Sequence, residues 1–276
     1  MFCAVFWNIG GKSHRQGIVR LITALQRQED ADVIALAECS DGVIGSLLRG
    51  LNAPGRPPEY TIVPTQSRVK VLARQAIPEV REIEHHRYYS IFQLSRGKLP
   101  SLNLAVVHMV SLLEKDAAHI DREVEQFAEA IRKSEETISH DRTIVLGDLN
   151  AHPFSEGVAG SVGLHGVMSR RVASRTERPA SHRLYPFFFN PMWQFFGDDA
   201  TGPAGTYYRA GKGDHLAFYW HLFDQVLLRP SLLPFYQDDS VCIVTKIAGT
   251  NLAGRDGTPD RESGSDHFPI RVRVNC

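Results

Sequence analysis

The sequence predicts an α/β protein built on mixed β-sheets, and three observations carry that prediction. Short apolar, β-branched runs recur at 2–7, 33–37, 60–63, 69–73, 88–94, 102–107, 143–146, 223–228, 241–245 and 270–274, each with the length and composition of a strand. Three segments carry a helical period instead: Ile18/Leu21/Ile22/Leu25, Val43/Ile44/Leu47/Leu48/Leu51 and Ile120/Val124/Phe127/Ile131. Strand and helix alternate at first. The runs at 60–63, 69–73 and 88–94 then follow one another directly, an order that a purely parallel sheet does not produce.

Taken in chain order, each element has a local reason. The run at 2–7 is apolar over six residues, with no basic stretch before it and no small-residue cleavage pattern, so it reads as a strand and not as a signal peptide. The helical segments that flank 33–37 and precede 143–146 place their apolar residues on one face, and the third carries charges on the other. The stretch 157–208 has no clean period and is rich in Gly, Pro, Arg and aromatics. A long segment of that kind in a compact domain is usually functional, and its aromatics favour order. The run 185–196 is expected to be core beneath a long loop, the alternative being a platform for stacking bases or sitting against lipid. At 276 residues the chain can bury a sizeable core, and no linker divides it. The expectation is one domain over 1–276 with an insertion-like segment at 157–208.

Composition excludes several classes. Lys+Arg and Asp+Glu are 31 each, which speaks against a basic protein that coats polyanions and against an acidic tail, so an anionic substrate must be held locally. The four cysteines, Cys3, Cys39, Cys242 and Cys276, lie far apart without a C-x-x-C pair, as suits a reducing cytoplasm better than a zinc site or disulfide framework. No run approaches the ~18 apolar residues of a membrane span. A cytoplasmic protein is the expectation.

Polar residues able to meet metal or phosphate recur where apolar runs end. Asn8 follows Phe6-Trp7, Glu38 follows Leu36-Ala37, His108 follows Val106-Val107, and Asp148 and Asn150 follow Leu146-Gly147. Strand ends on one side of a sheet share a rim where distant positions converge. Asp148 and Asn150 are two apart and share a face if the strand persists. Ser265-Asp266-His267 precedes the last strand, and Asp224 opens Asp224-Gln225-Val226-Leu227-Leu228. Each residue alone has a bland explanation: Asn8 and Glu38 as cap or turn residues, Asp148 as a cap for the segment near Pro153, His267 as a satisfied core histidine. The set, in this order, is harder to dismiss.

Phe6-Trp7-Asn8, Ala37-Glu38, Val107-His108, Leu146-Gly147-Asp148-Leu149-Asn150, Phe223-Asp224-Gln225-Val226 and Gly264-Ser265-Asp266-His267-Phe268-Pro269 resemble the ordered motifs of the endonuclease/exonuclease/phosphatase family, the deoxyribonuclease-I-like superfamily. The resemblance implies a four-layer α/β sandwich, two mixed sheets packed face to face and flanked by helices. It also implies hydrolysis of phosphate esters with a divalent metal, Mg²⁺ or Mn²⁺, at the rim between the sheets. By that similarity Glu38 is the best metal ligand and Asn8 and Asp266 complete or support it. Asp148 orients or deprotonates the attacking water, Asn150 donates to the phosphate, His267 is held cationic by Asp224, and His108 is a second phosphate donor. Nucleic acid is the commonest substrate the resemblance implies, so a nuclease is expected. The alternatives are a hydrolase of a small phosphoester, such as an inositol phosphate or sphingomyelin, and an inactive binding protein of the same fold.

Other signals are decoys or remain local. Gly10-Gly11-Lys12-Ser13 hints at a P-loop, but Phe6 stands where the first glycine is required. No G-x-S-x-G or H-E-x-x-H occurs. His85-His86 reads as a solvated turn. Lys12 and Arg15 follow Asn8 closely enough to hold flanking phosphates, whereas the other basic clusters read equally well as solvated surface.

Overall fold

The computed structural model describes residues 1–10, 16–53, 59–111, 114–197, 202–211 and 217–276. In chain order the strands are β1 (Phe2–Asn8), β2 (Val33–Ala37), β3 (Tyr60–Val63), β4 (Lys70–Arg74), β5 (Glu79–His86), β6 (Tyr89–Arg96), β7 (Leu99–His108) and β8 (Thr143–Asp148). They continue as β9 (Gly166–Val167), β10 (Glu177–Ala180), β11 (Arg183–Pro186), β12 (Phe188–Phe189), β13 (Tyr207–Tyr208), β14 (Trp220–His221), β15 (Asp224–Leu228), β16 (Val241–Ile243), β17 (Lys246–Ile247), β18 (Thr250–Asn251) and β19 (Ile270–Val274). The long helices are α1 (Gln16–Glu29), α2 (Asp41–Leu51) and α3 (Ala117–Ile138).

Two mixed sheets carry the fold, one of six strands ordered β16-β19-β1-β2-β4-β3 and one of seven ordered β5-β6-β7-β8-β15-β12-β9. Side-chain alternation explains how they layer. Leu104, Val106, Ile144, Leu146 and Val226 join the core shared with the six-stranded sheet, whereas Ala105, Val107, Val145 and Leu227, one residue out of phase, pack on Val124, Phe127 and Ile131 of α3. β1 has no such alternation because it is buried on both faces, between α1 and α2 outside and the second sheet inside. β1 faces β8, and β15 faces β19. The result is the expected four-layer sandwich.

α3 starts at Asp116, whose carboxylate accepts from the His119 N–H at 2.8 Å, and stops at Ser139 in the left-handed conformation, φ 57°. Its far end anchors the second sheet through a buried ion pair. Arg229 donates from Nε and Nη2 to the two Glu135 oxygens, both at 2.9 Å, donates from Nη1 to the carbonyls of Pro186 and Phe187, and lies 3.8 Å over the Phe188 ring.

Three expectations need correction. β5 was not anticipated, because Glu-Val-Arg-Glu-Ile-Glu-His-His has no apolar run; as a sheet edge it is held by backbone pairing to β6 while its side chains meet solvent. His85 and His86 therefore close a strand and do not form a turn, and His86 packs on Tyr88 and Tyr89. The described residues of the stretch 157–208 hold regular structure that its lack of a period did not show: they supply β9 and β12 to the seven-stranded sheet, and Phe187, Phe188, Phe189 and Phe195 are core. Two-residue strands are too short to show a period.

Candidate active site

Strand register brings the motif residues to one rim. β1 and β2 are parallel with Asn8 opposite Ala37, so Glu38 emerges just beyond it. β7 and β8 are parallel with His108 opposite Asp148, and antiparallel β15 sets Asp224 opposite Asp148 on the other side. β19 runs antiparallel to β1 with Ile270 opposite Phe6, which leaves His267 and Asp266 on the loop entering the same rim. A pocket of about 200 Å³ is lined by Asn8, Glu38, His108, Asp148, Asn150, Asp266 and His267 among others. Asp224 lies beneath it, fully buried. Lys12 and Arg15 lie outside the described residues.

The loops are fixed by their own sequences. Trp7 donates from its indole to the His267 carbonyl at 2.9 Å, and the Ser265 hydroxyl donates to the Asn8 carbonyl at 2.7 Å, so Trp-Asn and Ser-Asp-His are two halves of one clasp. Gly147 has φ 147°, and a Cβ there would stand 2.0 Å from the Val107 carbonyl oxygen, so only glycine lets β8 deliver Asp148 beside β7. Glu38 and Asn150 sit in the left-handed region at φ 52° and 48°, a conformation that costs energy for either residue and clusters at functional sites. The last point is a correction. The strand ends at Asp148, so Asn150 reaches the pocket through a backbone turn and not through pleat alternation.

Hydrogen bonds divide the residues into two groups. His267 Nδ1 lies 2.8 Å from Asp224 Oδ2, and with both side chains removed from solvent this is a charge-assisted bond. Burial opposes a charged imidazole, but the charge and hydrogen bond of Asp224, with Asp148 and Asp266 behind them, outweigh it and raise the His267 pKa to about 9. Burial, reinforced by the Asp224 charge, pushes the Asp148 carboxyl up. Asp148 accepts from Asn8 Nδ2 at 3.1 Å and from the Asn150 backbone N–H at 2.8 Å. Burial pushes His108 down, leaving a neutral imidazole whose Nε2 is 3.9 Å from Glu38 Oε1.

Glu38 is the most open of the carboxylates, 42% exposed, and accepts from Asn8 Nδ2 at 3.4 Å. Asp266 is held by Arg261 at 2.6 Å. Burial works against its ionisation, yet the charges of His267 and Arg261 keep it below the usual carboxylate range. Asp148, Asp224 and His267 offer ligand atoms within 4.8 Å of one another. A ring that already commits Nδ1–H to Asp224 has no lone pair there for a cation, so this trio is a proton-holding group. The hard oxygens of Glu38, which Asn8 steadies, and of Asp266, which Arg261 and Ser265 steady, have the donor chemistry that Mg²⁺ or Mn²⁺ takes.

Several residues at the site carried no sequence signal. Thr206 accepts from the Asp224 N–H at 3.2 Å through its hydroxyl and from the Phe268 N–H at 2.8 Å through its carbonyl, which clamps the start of β15, bearing Asp224, to the loop that bears His267. Tyr207 packs on His267 with ring centroids 4.7 Å apart. Arg209, His221 and Phe223 complete the wall. Thr206, Tyr207 and Arg209 do not end an apolar run, the feature that exposed the others, whereas Phe223 stands in the motif around Asp224 and His221 follows Ala217-Phe218-Tyr219-Trp220.

Two mixed sheets meeting along a rim of carboxylates, imidazoles and asparagine amides define a class of phosphoric ester hydrolases. The sequence profile of the Endonuclease/Exonuclease/phosphatase family matches residues 5–267, and the chain belongs to that family. No curated protein matches the chain. Among solved structures, an endonuclease/exonuclease/phosphatase family protein from Leptotrichia buccalis superposes with a TM-score of 0.61 at 13% identity over 100% of both chains. D. rerio TDP2 complexed with single strand DNA product gives 0.59 at 15% identity over 100% of this chain and 99% of that one. Truncated Caenorhabditis elegans TDP2 gives 0.56 at 15%, over 98% and 96%. TM-scores of this size, at such low identity, show a shared fold and no more. No described helix is long and apolar enough to cross a membrane.

Proposed function

We propose that the protein is a divalent-metal-dependent phosphodiesterase, a nuclease that hydrolyses the phosphodiester bonds of nucleic acid by water attack. The observation that supports it is convergence: five separate motifs deliver Asn8, Glu38, His108, Asp148, Asn150, Asp266 and His267 to one pocket, and a sixth sets Asp224 behind it, bonded to His267. When bound by Glu38 and Asp266, Mg²⁺ or Mn²⁺ supplies neutralisation of the phosphoryl oxygens and the leaving alkoxide. Asp148, with its raised pKa, orients the water and takes its proton. His267 donates its other ring N–H to a phosphoryl oxygen while Asp224 holds the ring in register. Asn150 gives one amide hydrogen to the Met109 carbonyl, which fixes its side chain so that the second can meet the phosphate. His108 serves as a neutral donor. Asn8 positions Glu38 and Asp148 together, and Lys12 and Arg15, close to Asn8 in sequence, are assigned to flanking phosphates.

D. rerio TDP2, which shares the fold, was solved with a single strand DNA product, and that favours nucleic acid over an inositol phosphate or sphingomyelin. The test is a hydrolysis screen with Mg²⁺, Mn²⁺ and EDTA across single- and double-stranded DNA, RNA, phosphoinositides, sphingomyelin and a generic phosphodiester. Metal-dependent cleavage of DNA or RNA is expected. Turnover of a lipid or inositol phosphate with no action on nucleic acid reverses the substrate assignment, and EDTA-resistant turnover rejects the metal mechanism.

A further inference from the structure

A second cavity, of about 340 Å³, opens beside the catalytic pocket and shares Asn150, Arg209 and His221 with it. Its character is different. The walls are aromatic: His152 stacks on Phe154 at 4.8 Å and 5°, and on His221 at 4.9 Å, while Phe218 lies 5.0 Å from His152 and 5.8 Å from Phe154. Phe154, Phe218 and Tyr219 are 44%, 47% and 48% exposed, a concentration of large open rings that solvent alone does not favour. Polar groups stand at the margins, with Asp121 on the helix side and Arg209 where the two cavities join.

The backbone is under tension at this wall. Tyr219 holds φ 60°, which is an outlier for a bulky aromatic, and is kept there by the Arg209 N–H donating to its carbonyl at 2.9 Å and by the Trp220 N–H donating to the Phe218 carbonyl at 2.7 Å. Strain of this kind persists only where surrounding contacts enforce it. Here it presents Phe218 and Tyr219 at the mouth of the cavity.

We propose that this cavity is the subsite for a nucleobase next to the scissile phosphate, which makes the natural substrate an unpaired nucleotide segment. The proposal deepens the nuclease reading and rests on it. A volume of about 340 Å³ admits a single base with part of its sugar and not a stacked duplex step, so the base must enter out of its helix. Flat rings suit its faces, Asp121 on the helix side suits its hydrogen-bonding edge, and Arg209 stands where the cavity joins the catalytic pocket, on the side of the adjoining phosphate. An acyl chain would leave those polar margins unused. The neutral overall charge agrees, since duplex binding along an extended track calls for a basic footprint.

Equilibrium binding of AMP and of ribose 5-phosphate, to the wild type and to Phe154→Ala, Phe218→Ala and Phe218→Trp, tests the assignment. AMP is expected to bind at least about 10-fold more tightly than ribose 5-phosphate, and each alanine variant to weaken AMP by about 5- to 100-fold. Ribose 5-phosphate binding should hold constant and Phe218→Trp should restore AMP, with thermal unfolding confirming that each variant is folded. Equal binding of the two ligands by the wild type, or equal loss of both in the variants, overturns the proposal. So does binding of dihexanoylphosphatidylcholine that depends on Phe154 and Phe218 where AMP binding does not. A protein that cleaves no DNA or RNA yet retains base-dependent binding refutes the nuclease reading and leaves the subsite standing.

Discussion

Asp224→Asn is the substitution that asks most of the site. The side chain is fully buried, its Oδ2 lies 2.8 Å from His267 Nδ1, and asparagine keeps an acceptor in place while removing the charge. The charge is what holds His267 protonated against burial, up to a pKa of about 9. Without it, burial is unopposed by its strongest partner and the ring falls to its ordinary 6.5 or lower. At pH 8 the protonated fraction then drops from about nine-tenths to about 3%, a loss of about 30-fold from protonation alone. Misorientation of the ring adds to that, so kcat should fall by roughly 10²–10⁴. The sign follows from a raised folded pKa: the pair's contribution is complete below pH 6.5 and is lost as pH rises through about 9. The wild-type rate should therefore carry an alkaline limb near 9 that moves to 6.5 or below in Asp224→Asn. Steady-state kinetics from pH 5 to 10, run with His267→Ala and with the double variant, check both points. The double variant should be little worse than the worse single one. Additive losses, or an alkaline limb unmoved by Asp224→Asn, would refute the coupling.

Three further outcomes are expected. Glu38→Gln should unfold at the wild-type urea concentration but lose most turnover and bind Mn²⁺ more weakly by calorimetry, since Glu38 is the most open carboxylate at the pocket. Glu135→Ala should cost about 3–5 kcal/mol in urea denaturation, because it strands the buried Arg229 guanidinium; a loss below about 1 kcal/mol would mean that Arg229 finds water. Gly147→Ala should cost at least about 3 kcal/mol, as its Cβ would stand 2.0 Å from the Val107 oxygen at a φ that alanine avoids, and a circular-dichroism melt would show it.

What could be read in the sequence depended on where each residue sits in the layers. Strands buried on one or both faces, such as β1, β2 and β8, wrote themselves as apolar runs, and a polar residue ending such a run was conspicuous. That is why Asn8, Glu38, His108 and Asp148 could be singled out. β5 left no trace because an edge strand is specified by backbone pairing, which any side chain permits. Thr206, Tyr207 and Arg261 were invisible for a related reason: they sit in loops or in the two-residue strand β13, where position depends on contacts from far along the chain. The aromatic question shows the limit most clearly. Composition drew attention to 185–196, yet most of those rings are core and only Phe196 at its end is open, whereas the open rings of the second cavity, Phe154, Phe218 and Tyr219, come from outside that run and are gathered only by folding.

Three polar pairs of the rim join one sheet to the other. Asn8 to Asp148, His267 to Asp224 and Glu38 to His108 all bridge from the six-stranded sheet to the seven-stranded one. The chemistry thus works as a vernier on the apolar seam below it, where Leu104, Val106, Leu146 and Val226 set the spacing. A slip of about 1 Å between reacting groups can cost about a hundredfold in rate while barely changing the area buried. Conservative trims deep in that seam will dim the enzyme well before they melt it, and turnover is the more sensitive gauge of how the two halves of the molecule are aligned.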